Sequence, residues 1–154
     1  MEDKRVLLHR SLIRVQGKLH RLSKAHLEQF HLSGSEYGII RNLEGAALTL
    51  SELSQRILRV NSNTTAMIDH LEAKGLVKRE PDQNDRRVIR VKLTETGTKL
   101  SEKVVPKQNM FIRELLGPLT DFETTALTAL LEKVEKICDS YSQKSNVKSV
   151  KVEF

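Results

Sequence analysis

The chain has 154 residues, of which 38% are hydrophobic and 30% are charged, a balance typical of an ordered globular protein and not of a disordered one. Its formal net charge of +6 and its pI of about 9.5 favour an anionic partner, nucleic acid before a membrane surface. Aromatic residues make up only 4% and tryptophan is absent, which argues against a stacking platform for single strands or RNA.

The sequence favours a cytoplasmic protein. No apolar run approaches the roughly 20 residues that a membrane-spanning helix requires. The first residues, MEDKRVLLHR, carry acids before bases and no small-residue cleavage site, so we expect no secretory signal. Cys138 is the one cysteine, which excludes an intrachain disulfide framework.

A long helix is predicted over residues 5–31. Its apolar residues recur at spacings of four, three, four and three along one face: Leu8, Leu12, Val15, Leu19 and Leu22. The segment HLSGS then breaks the helix. Ser35 is predicted to cap a second, short helix that ends at Gly45.

Two short helices follow in close succession. The segment ALTLSELSQRILRV begins with a short extended piece, and Ser51 is the predicted N-cap of its helix. After a break near Val60, NSNTTAMIDHLEAKG predicts another helix, with Asn61 or Ser62 as its N-cap and Gly75 as its stop. Two short helices joined by a tight turn have the form of a helix-turn-helix.

Next come two predicted strands, LVKRE and VIRVKLT, around the polar turn PDQNDRR. In the second strand apolar residues alternate with mostly polar ones, the period-two pattern of a sheet with one wet face. A helix-turn-helix followed directly by such a hairpin is a winged helix-turn-helix.

The last part of the chain is predicted to be helical. One long helix runs from about Glu95 to Leu116, with a kink expected at Pro106. Thr120 or Asp121 is predicted to cap a final amphipathic helix. The long first and last helices carry more apolar surface than a small winged module can cover, so we expect them to pack across a two-fold axis. An intrachain bundle is the alternative.

The stretch LEAKGLVKREPDQNDRRVIRVKLTETG closely resembles the signature of the MarR family of transcriptional regulators. That signature has a recognition helix ending in L-E-x-K-G-L-V, a wing tip of D-x-x-D-x-R, and a V-x-L-T-x-x-G exit. The resemblance implies a mainly α fold with a small β-hairpin wing. It implies a winged helix-turn-helix domain over residues 35–95 and dimerisation helices over 5–31 and 96–141. It also implies a homodimer that binds double-stranded DNA and, in many relatives, represses promoters until a small anionic, phenolic or oxidising effector releases it. The residues of the tail, 142–154, are polar at first, so we expect the tail to be flexible, with a strand formed by its alternating valines as the alternative.

The wing carries the predicted minor-groove contacts. A cluster of cations at a hairpin tip suits the minor groove, where phosphates on both sides deepen the negative potential. By resemblance Arg87 enters the groove and Asp85 orients it. Arg86 is better placed for a phosphate, and Arg79 and Arg90 are expected to add sequence-independent attraction along the strands. The alternative is a solvated basic hairpin.

The predicted recognition helix belongs in the major groove, with its N-terminal half against base edges. The candidate contacts on it are Asn61, Ser62, Asn63, Thr65, Ala66 and His70. Asn63 can pair bidentately with adenine. Many relatives have arginine where Ala66 and His70 stand, so specificity is expected to depend more on Asn63, the threonines and DNA shape. Plain capping or helix surface is the alternative for Asn63 and Thr65. Ser51 and Gln55 are candidate phosphate contacts.

No metal, cofactor or catalytic site is predicted. The five histidines lack the i, i+4 spacing of paired ligands, and the chain has no glycine-rich phosphate loop or nucleophile motif, so we expect no enzyme. Cys138, among apolar residues of the last helix, is expected to be a core or interface hydrophobe, with a redox role as the alternative. His20, Tyr37 and Arg41 are candidates to line an effector site, which the resemblance places between the dimer helices and the winged lobe.

Together these features predict a sequence-specific regulator that binds duplex DNA as a dimer on a pseudo-palindromic operator. Two alternatives remain at this point. One is a nonspecific architectural DNA binder, and the other is a winged-helix module whose basic surface serves protein partners.

Overall fold

The computed structural model describes residues 3–57 and 61–144, with the side chains of Asn61, Ser62 and Lys144 outside that description. Over these residues the order is α1 (Lys4–Glu28), α2 (Gly34–Asn42), β1 (Leu48–Thr49), α3 (Leu50–Arg56), α4 (Asn61–Ala73), β2 (Val77–Pro81), β3 (Ile89–Leu93), α5 (Glu95–Leu116) and α6 (Asp121–Lys144). The mainly α fold with a small β wing is confirmed.

The described residues form two compact units, one within residues 1–111 and the other within residues 112–154. The first unit contains α1 to β3 and most of α5. The described hydrophobic core lies within it and is built mainly from leucine, isoleucine and valine of α1 to α5 and the strands. The second unit contains the end of α5 and all of α6. The division into dimerisation helices and a winged domain concerns function, and it stays a prediction.

Helix α2 begins with a capping box at Ser33. The hydroxyl of Ser33 accepts a hydrogen bond from the backbone N–H of Glu36 at 3.2 Å, and the Glu36 carboxylate accepts one from the Ser33 N–H at 2.7 Å. Two of the four backbone N–H groups that a helix start leaves without an intrahelical partner are therefore satisfied. The predicted cap at Ser35 is wrong because the serine that has a glutamate three residues later is Ser33. The helix also ends earlier than predicted, at Asn42.

A second capping box begins α3. Thr49 accepts from the N–H of Glu52 at 3.2 Å, and the Glu52 carboxylate accepts from the Thr49 N–H at 2.7 Å. The predicted cap at Ser51 is therefore wrong, for the same reason as at α2. The predicted cap of α6 at Thr120 is confirmed, since its hydroxyl accepts from the N–H of Glu123 at 3.2 Å.

The three strands form an antiparallel sheet in the order β1-β3-β2. The short strand β1 adds a third strand to the predicted hairpin by pairing Leu48 with Val91. Val91 is buried, and so is Val77 of β2. Residues separated by two along a strand share a face, so β2 and β3 direct these valines to the same, core side of the sheet.

The junction between α4 and α5 explains the L-T-x-x-G motif. The Thr94 hydroxyl donates to the carbonyl oxygen of Gly75 at 2.6 Å and accepts from the N–H of Gly97 at 3.0 Å. Gly75 ends α4 with a φ of 70°, as predicted. A Cβ at Gly97 would lie 1.9 Å from the carbonyl oxygen of Leu76, so the close approach of α5 to this loop requires glycine.

The ends of the long helices differ from expectation. Helix α1 ends at Glu28, three residues before the predicted end, and His31 then takes a positive φ of 55°. Helix α6 continues to Lys144, so residues 142–144 of the predicted tail are helical. The rest of that tail, residues 145–154, lies outside the described part of the chain. Pro106 lies inside α5.

Candidate nucleic-acid interface

Two aspartates build the wing turn between β2 and β3. The Asp82 carboxylate accepts hydrogen bonds from the backbone N–H groups of Asn84 at 2.8 Å and Asp85 at 3.2 Å. The Asp85 carboxylate in turn accepts one from the backbone N–H of Arg87 at 3.0 Å. These side-chain bonds fix the turn in the way that Asx turns do. The sequence reasoning missed Asp82 as a site residue, although it is the first aspartate of D-x-x-D-x-R.

The tip of the turn presents two cations to solvent. Arg86 and Arg87 are exposed, and within the described residues neither guanidinium has a carboxylate partner. Asp85 holds the backbone amide of Arg87 and not its guanidinium. The turn therefore fixes where the Arg87 side chain starts and leaves its charged end free to reach an anion.

The strand arginine Arg79 is held by two carboxylates of α4. Its Nη2 donates to Asp69 at 2.6 Å, and its Nη1 donates to Glu72. The backbone N–H of Arg79 also donates to Glu72, at 3.2 Å. The sequence predicts that this cation adds attraction for phosphates. The structure instead shows its guanidinium occupied by its own chain.

Arg90 is also bound by groups of its own chain, which lie in the wing turn and at the start of α3. Its Nε donates to Asp82, and its Nη1 lies 3.2 Å from the Ala47 carbonyl oxygen and 3.3 Å from a Glu52 carboxylate oxygen. The hydrogen bond from Arg90 is the main cause that lowers the pKa of Asp82 to about 2, and the hydrogen bonds from the two backbone N–H groups of the turn contribute next. Arg90 thus joins the wing turn to the start of α3 and is also less available for phosphates than the sequence suggests.

The recognition helix α4 exposes part of the predicted face. Asn63 and Ala66 are exposed and Thr65 is half-buried, whereas Thr64 is completely buried on the core side. The contacts and the capping predicted for Asn61 and Ser62 concern side chains outside the described part. On α3, Ser51 and Gln55 are both exposed, as a phosphate contact requires.

The end of α4 and the residue that follows it are bound to the start of α2. Lys74 Nζ lies 2.6 Å from a Glu36 carboxylate oxygen, and the Nε2 atom of His70 lies 3.4 Å from the same oxygen. Burial raises the pKa of Glu36, but the hydrogen bonds from Lys74 and Ser33 outweigh burial and lower it below its ordinary value. His70, at a position predicted to read bases, is therefore also close to an internal carboxylate.

Comparisons with known proteins identify this winged module. A family model described as the MarR family matches residues 38–89, which extend from α2 into β3. The HTH-type transcriptional regulator PecS of Dickeya dadantii is 33% identical over 130 residues, which cover 82% of this chain and 78% of PecS. The chain belongs to the MarR family. It is a transcriptional regulator of that family, as the signature over residues 71–97 predicts.

Solved structures agree with this assignment. A crystal structure of a MarR mutant from Escherichia coli complexed with operator DNA is similar, with a TM-score of 0.77 and 29% identity, and the match covers 86% of this chain and 99% of that chain. AbsC, a MarR family regulator from Streptomyces coelicolor, has a TM-score of 0.83 at 24% identity and covers 91% of this chain and 97% of its own. The likeness to AbsC shows the fold alone.

In this MarR-family chain the candidate effector residues only partly come together. Tyr37 and Arg41 lie one turn apart on α2, Tyr37 buried and Arg41 exposed. Burial raises the pKa of the Tyr37 hydroxyl, and the positive charge of Arg41 acts in the opposite direction. The Tyr37 hydroxyl oxygen makes no hydrogen bond among the described groups. His20 is exposed on α1, and no described contact joins it to either residue.

The structure also bears on three further points of the sequence analysis, which are Cys138, a metal site and a membrane-spanning helix. Cys138 is exposed on α6, so its predicted position in a core of this chain is wrong, and a position in a subunit interface stays a prediction. Across the described residues, no group of three or more His, Cys, Asp and Glu side chains is arranged to hold a metal ion. None of the helices in that same part of the chain has the length and apolar character needed to cross a membrane.

Proposed function

We propose that this regulator is a repressor that binds a pseudo-palindromic operator in duplex DNA as a homodimer. The single observation that carries the proposal is the position of two cations, Arg86 and Arg87, at the tip of a turn fixed by Asp82 and Asp85, where neither guanidinium has a carboxylate partner in the described part of the chain. A rigid turn lowers the conformational cost of placing a guanidinium in the negative potential of the minor groove.

The recognition helix supports the same proposal. Helix α4 exposes Asn63 and Ala66 on the side opposite its buried residues, Thr64, Ile68 and Leu71. Asn63 offers both a donor and an acceptor, which match the N7 and N6 groups of adenine in the major groove. Ser51 and Gln55 of the preceding helix would contact phosphates and fix the register of the protein on the duplex.

Each terminal helix has apolar residues that support the homodimer. On α1, Leu8, Val15 and Leu22 are 52%, 50% and 45% exposed. On α6, Phe122 is 81% and Leu130 is 61% exposed. Exposed apolar surface of this kind marks a site of association, and a second copy of the same chain forms a symmetric interface. The similar MarR structure is complexed with operator DNA, which supports DNA as the other partner.

The test is selection of a random duplex library by the purified protein at about 150 mM salt. We expect enrichment of a two-fold symmetric site with half-sites about 10 base pairs apart, since a dimer presents its recognition helices about one helical turn apart. Retention without enrichment would favour a nonspecific architectural binder. Absence of retention would favour a winged-helix module for protein partners.

Control by an effector is a further part of the proposal. An anionic or phenolic compound is the proposed class, and His20, Tyr37 and Arg41 are the candidate contacts. The buried hydroxyl of Tyr37, which has no hydrogen-bond partner of normal geometry among the described residues, and the nearby charge of Arg41 support this choice, because an oxygen-rich ligand would satisfy both groups. Release of the selected DNA site by such compounds, lost in Arg41→Ala, is the expected result. A regulator of this kind would act in the cytoplasm, with no catalytic step and no bound cofactor.

A further inference from the structure

Carboxylates lie close to the proposed DNA-binding surface as well as cations. Asp69 is on the recognition helix, with 61% of its side chain exposed, and Glu72 follows it one turn later with 39% exposed. An uncompensated carboxylate at such a place would repel phosphates. The chain has therefore to neutralise these groups if α4 is to enter a groove.

Arg79 is the residue placed to do so. Strand alternation puts it on the same face of β2 as buried Val77, toward α4, whereas Lys78 and Glu80 point to the other face. From there its two Nη atoms reach Asp69 and Glu72, and its backbone N–H also donates to Glu72. Only 31% of the Arg79 side chain is exposed. A planar guanidinium has several donors in a fixed geometry, so it can bind two carboxylates at once, which an ammonium group does less well.

We propose that Arg79 is a positioning residue of the DNA-binding surface and not a phosphate contact. It fixes strand β2, and with it the wing, at a set position against the recognition helix, and it compensates the charge of Asp69 and Glu72. The inference rests on the proposed function, because it concerns how the two DNA-reading elements are held in register. It adds a role for two carboxylates that simple charge counting would treat as unfavourable.

The sharpest test removes the carboxylates and leaves the arginine. In Asp69→Asn/Glu72→Gln, two negative charges disappear from the surface, so electrostatic attraction alone would tighten every mode of DNA binding. If Arg79 positions the wing, affinity for the selected operator falls while affinity for random duplex stays equal or rises. We expect the ratio of specific to nonspecific affinity to fall about tenfold, comparable with the loss of one good base contact.

Glu80→Gln is the matched control. Glu80 is a carboxylate on the same strand, but it pairs with Lys78 and Lys92 and not with Arg79. Its removal frees two lysines without disturbing the bonds of Arg79. We expect both specific and nonspecific binding to tighten modestly, with the ratio between them unchanged.

Tighter operator binding by the double variant would overturn the proposal. If the Asp69→Asn/Glu72→Gln protein binds the operator more tightly and its salt slope rises by about one per subunit, Arg79 has been released onto a phosphate and the inference is overturned. Circular dichroism and thermal unfolding would establish that the variant is folded. Hydrogen exchange of the β2 and β3 amides should become faster in it, which a phosphate role for Arg79 does not predict.

Arg79→Lys decides the question should the double variant fail to fold. It keeps the positive charge, so a phosphate contact would retain the salt slope and most of the specificity. A positioning role predicts an unchanged slope with a lowered specificity ratio, and retention of the full ratio would overturn it. A wild-type protein that selects no operator at all would instead refute the proposed function, whereas wild-type selection with unaltered specificity in these variants would refute the inference alone.

Discussion

Arginines of the same hairpin have two different surroundings in this protein. Arg86 and Arg87 stand at the tip of the turn, whereas Arg79 and Arg90 are each bound to two carboxylates of their own chain. A cation that already has two such partners gains less from a phosphate than a free one, because the internal bonds have to be broken first. We therefore propose that the tip contacts DNA directly and that the strand arginines position the wing.

At the residue scale, Arg87→Ala tests the tip. We expect weaker operator binding and a salt slope lower by about one per subunit, since one fewer counterion is released when the complex forms. Affinity measured at several salt concentrations gives the slope. Lys99→Ala, which removes an exposed cation of α5 that pairs with Glu95, is the control and should leave the slope unchanged. An unaltered slope in Arg87→Ala would remove this residue from the DNA contacts.

Capping at the scale of the helix depends on a pair of residues and not on one. At α2, Ser35 and Ser33 are the same residue type two positions apart, yet only Ser33 is followed three residues later by the glutamate that completes the box. The same rule selects Thr49 and not Ser51 at α3. Because the same capping box begins both helices, we expect removal of a single capping hydroxyl to change the free energy of unfolding measurably.

Ser33→Ala should therefore destabilise the protein by about 1 kcal/mol, the usual cost of losing an N-cap. Ser35→Ala, the natural control, removes the same hydroxyl from a position that is not the cap and should cost less than about 0.5 kcal/mol. Urea unfolding of the two variants beside the wild type measures both values. Equal losses would mean that Ser33 has no special role.

The wing turn is an element whose stability should depend on pH. The pKa of Asp82 is about 2 in the folded chain, against an ordinary value of 3.8, chiefly because Arg90 donates to its carboxylate. Because the folded-state pKa is the lower one, the ionised carboxylate stabilises the fold above about pH 4, and this contribution is lost as the pH falls from about 3.8 to about 2.

Unfolding of the wild type and of Asp82→Asn between pH 2 and pH 7 measures this dependence. We expect the wild type to be more stable by a constant margin above about pH 4 and the margin to shrink toward pH 2. Gln83→Ala, in the same turn but without a titratable group, should differ from the wild type by an amount that does not change with pH. If the wild type remained more stable than Asp82→Asn by the same unfolding free energy at pH 2, the ionised carboxylate of Asp82 would not be the cause of the difference.

At the scale of the whole molecule, exposed apolar side chains of α6 predict association. Leu130→Lys places a charge on that surface, and Leu130 is 61% exposed in the single chain. If a second copy covers it, two leucine burials are lost per dimer at about 1.5–3 kcal/mol each, so the dimer dissociation constant should rise on the order of 100-fold or more. Sedimentation equilibrium gives that constant.

Thr125→Lys is the matched control for that experiment. Thr125 is exposed on the opposite side of α6 from the apolar residues Leu127, Leu130 and Leu131, by helical periodicity. The Thr125→Lys substitution adds the same charge to the same helix but leaves the apolar surface unchanged. The dimer dissociation constant should therefore stay within a few-fold of the wild-type value. Equal effects of both variants would mean that Leu130 lies outside the interface.

The sequence by itself determined the order of elements, the wing and the family. These depend on short-range patterns: the spacing of apolar residues on a helix, the glycine that ends α4, and the contiguous motif over residues 71–97. Even the two N-caps that were predicted at the wrong residue, those of α2 and α3, are encoded by the local patterns S-x-x-E and T-x-x-E. Such patterns can be recognised from the sequence because each consists of residues that are close together or contiguous along the chain.

Only the tertiary structure decided which charges are free. Arg79 meets Asp69 ten positions away, and Arg90 meets Glu52 across 38 positions. No local periodicity encodes these pairs, since they arise from the packing of a strand against a helix and of the wing against α3. The physical reason is that a guanidinium is long and has several donors, so its partner is set by which carboxylates the fold brings within reach and not by its neighbours in the chain.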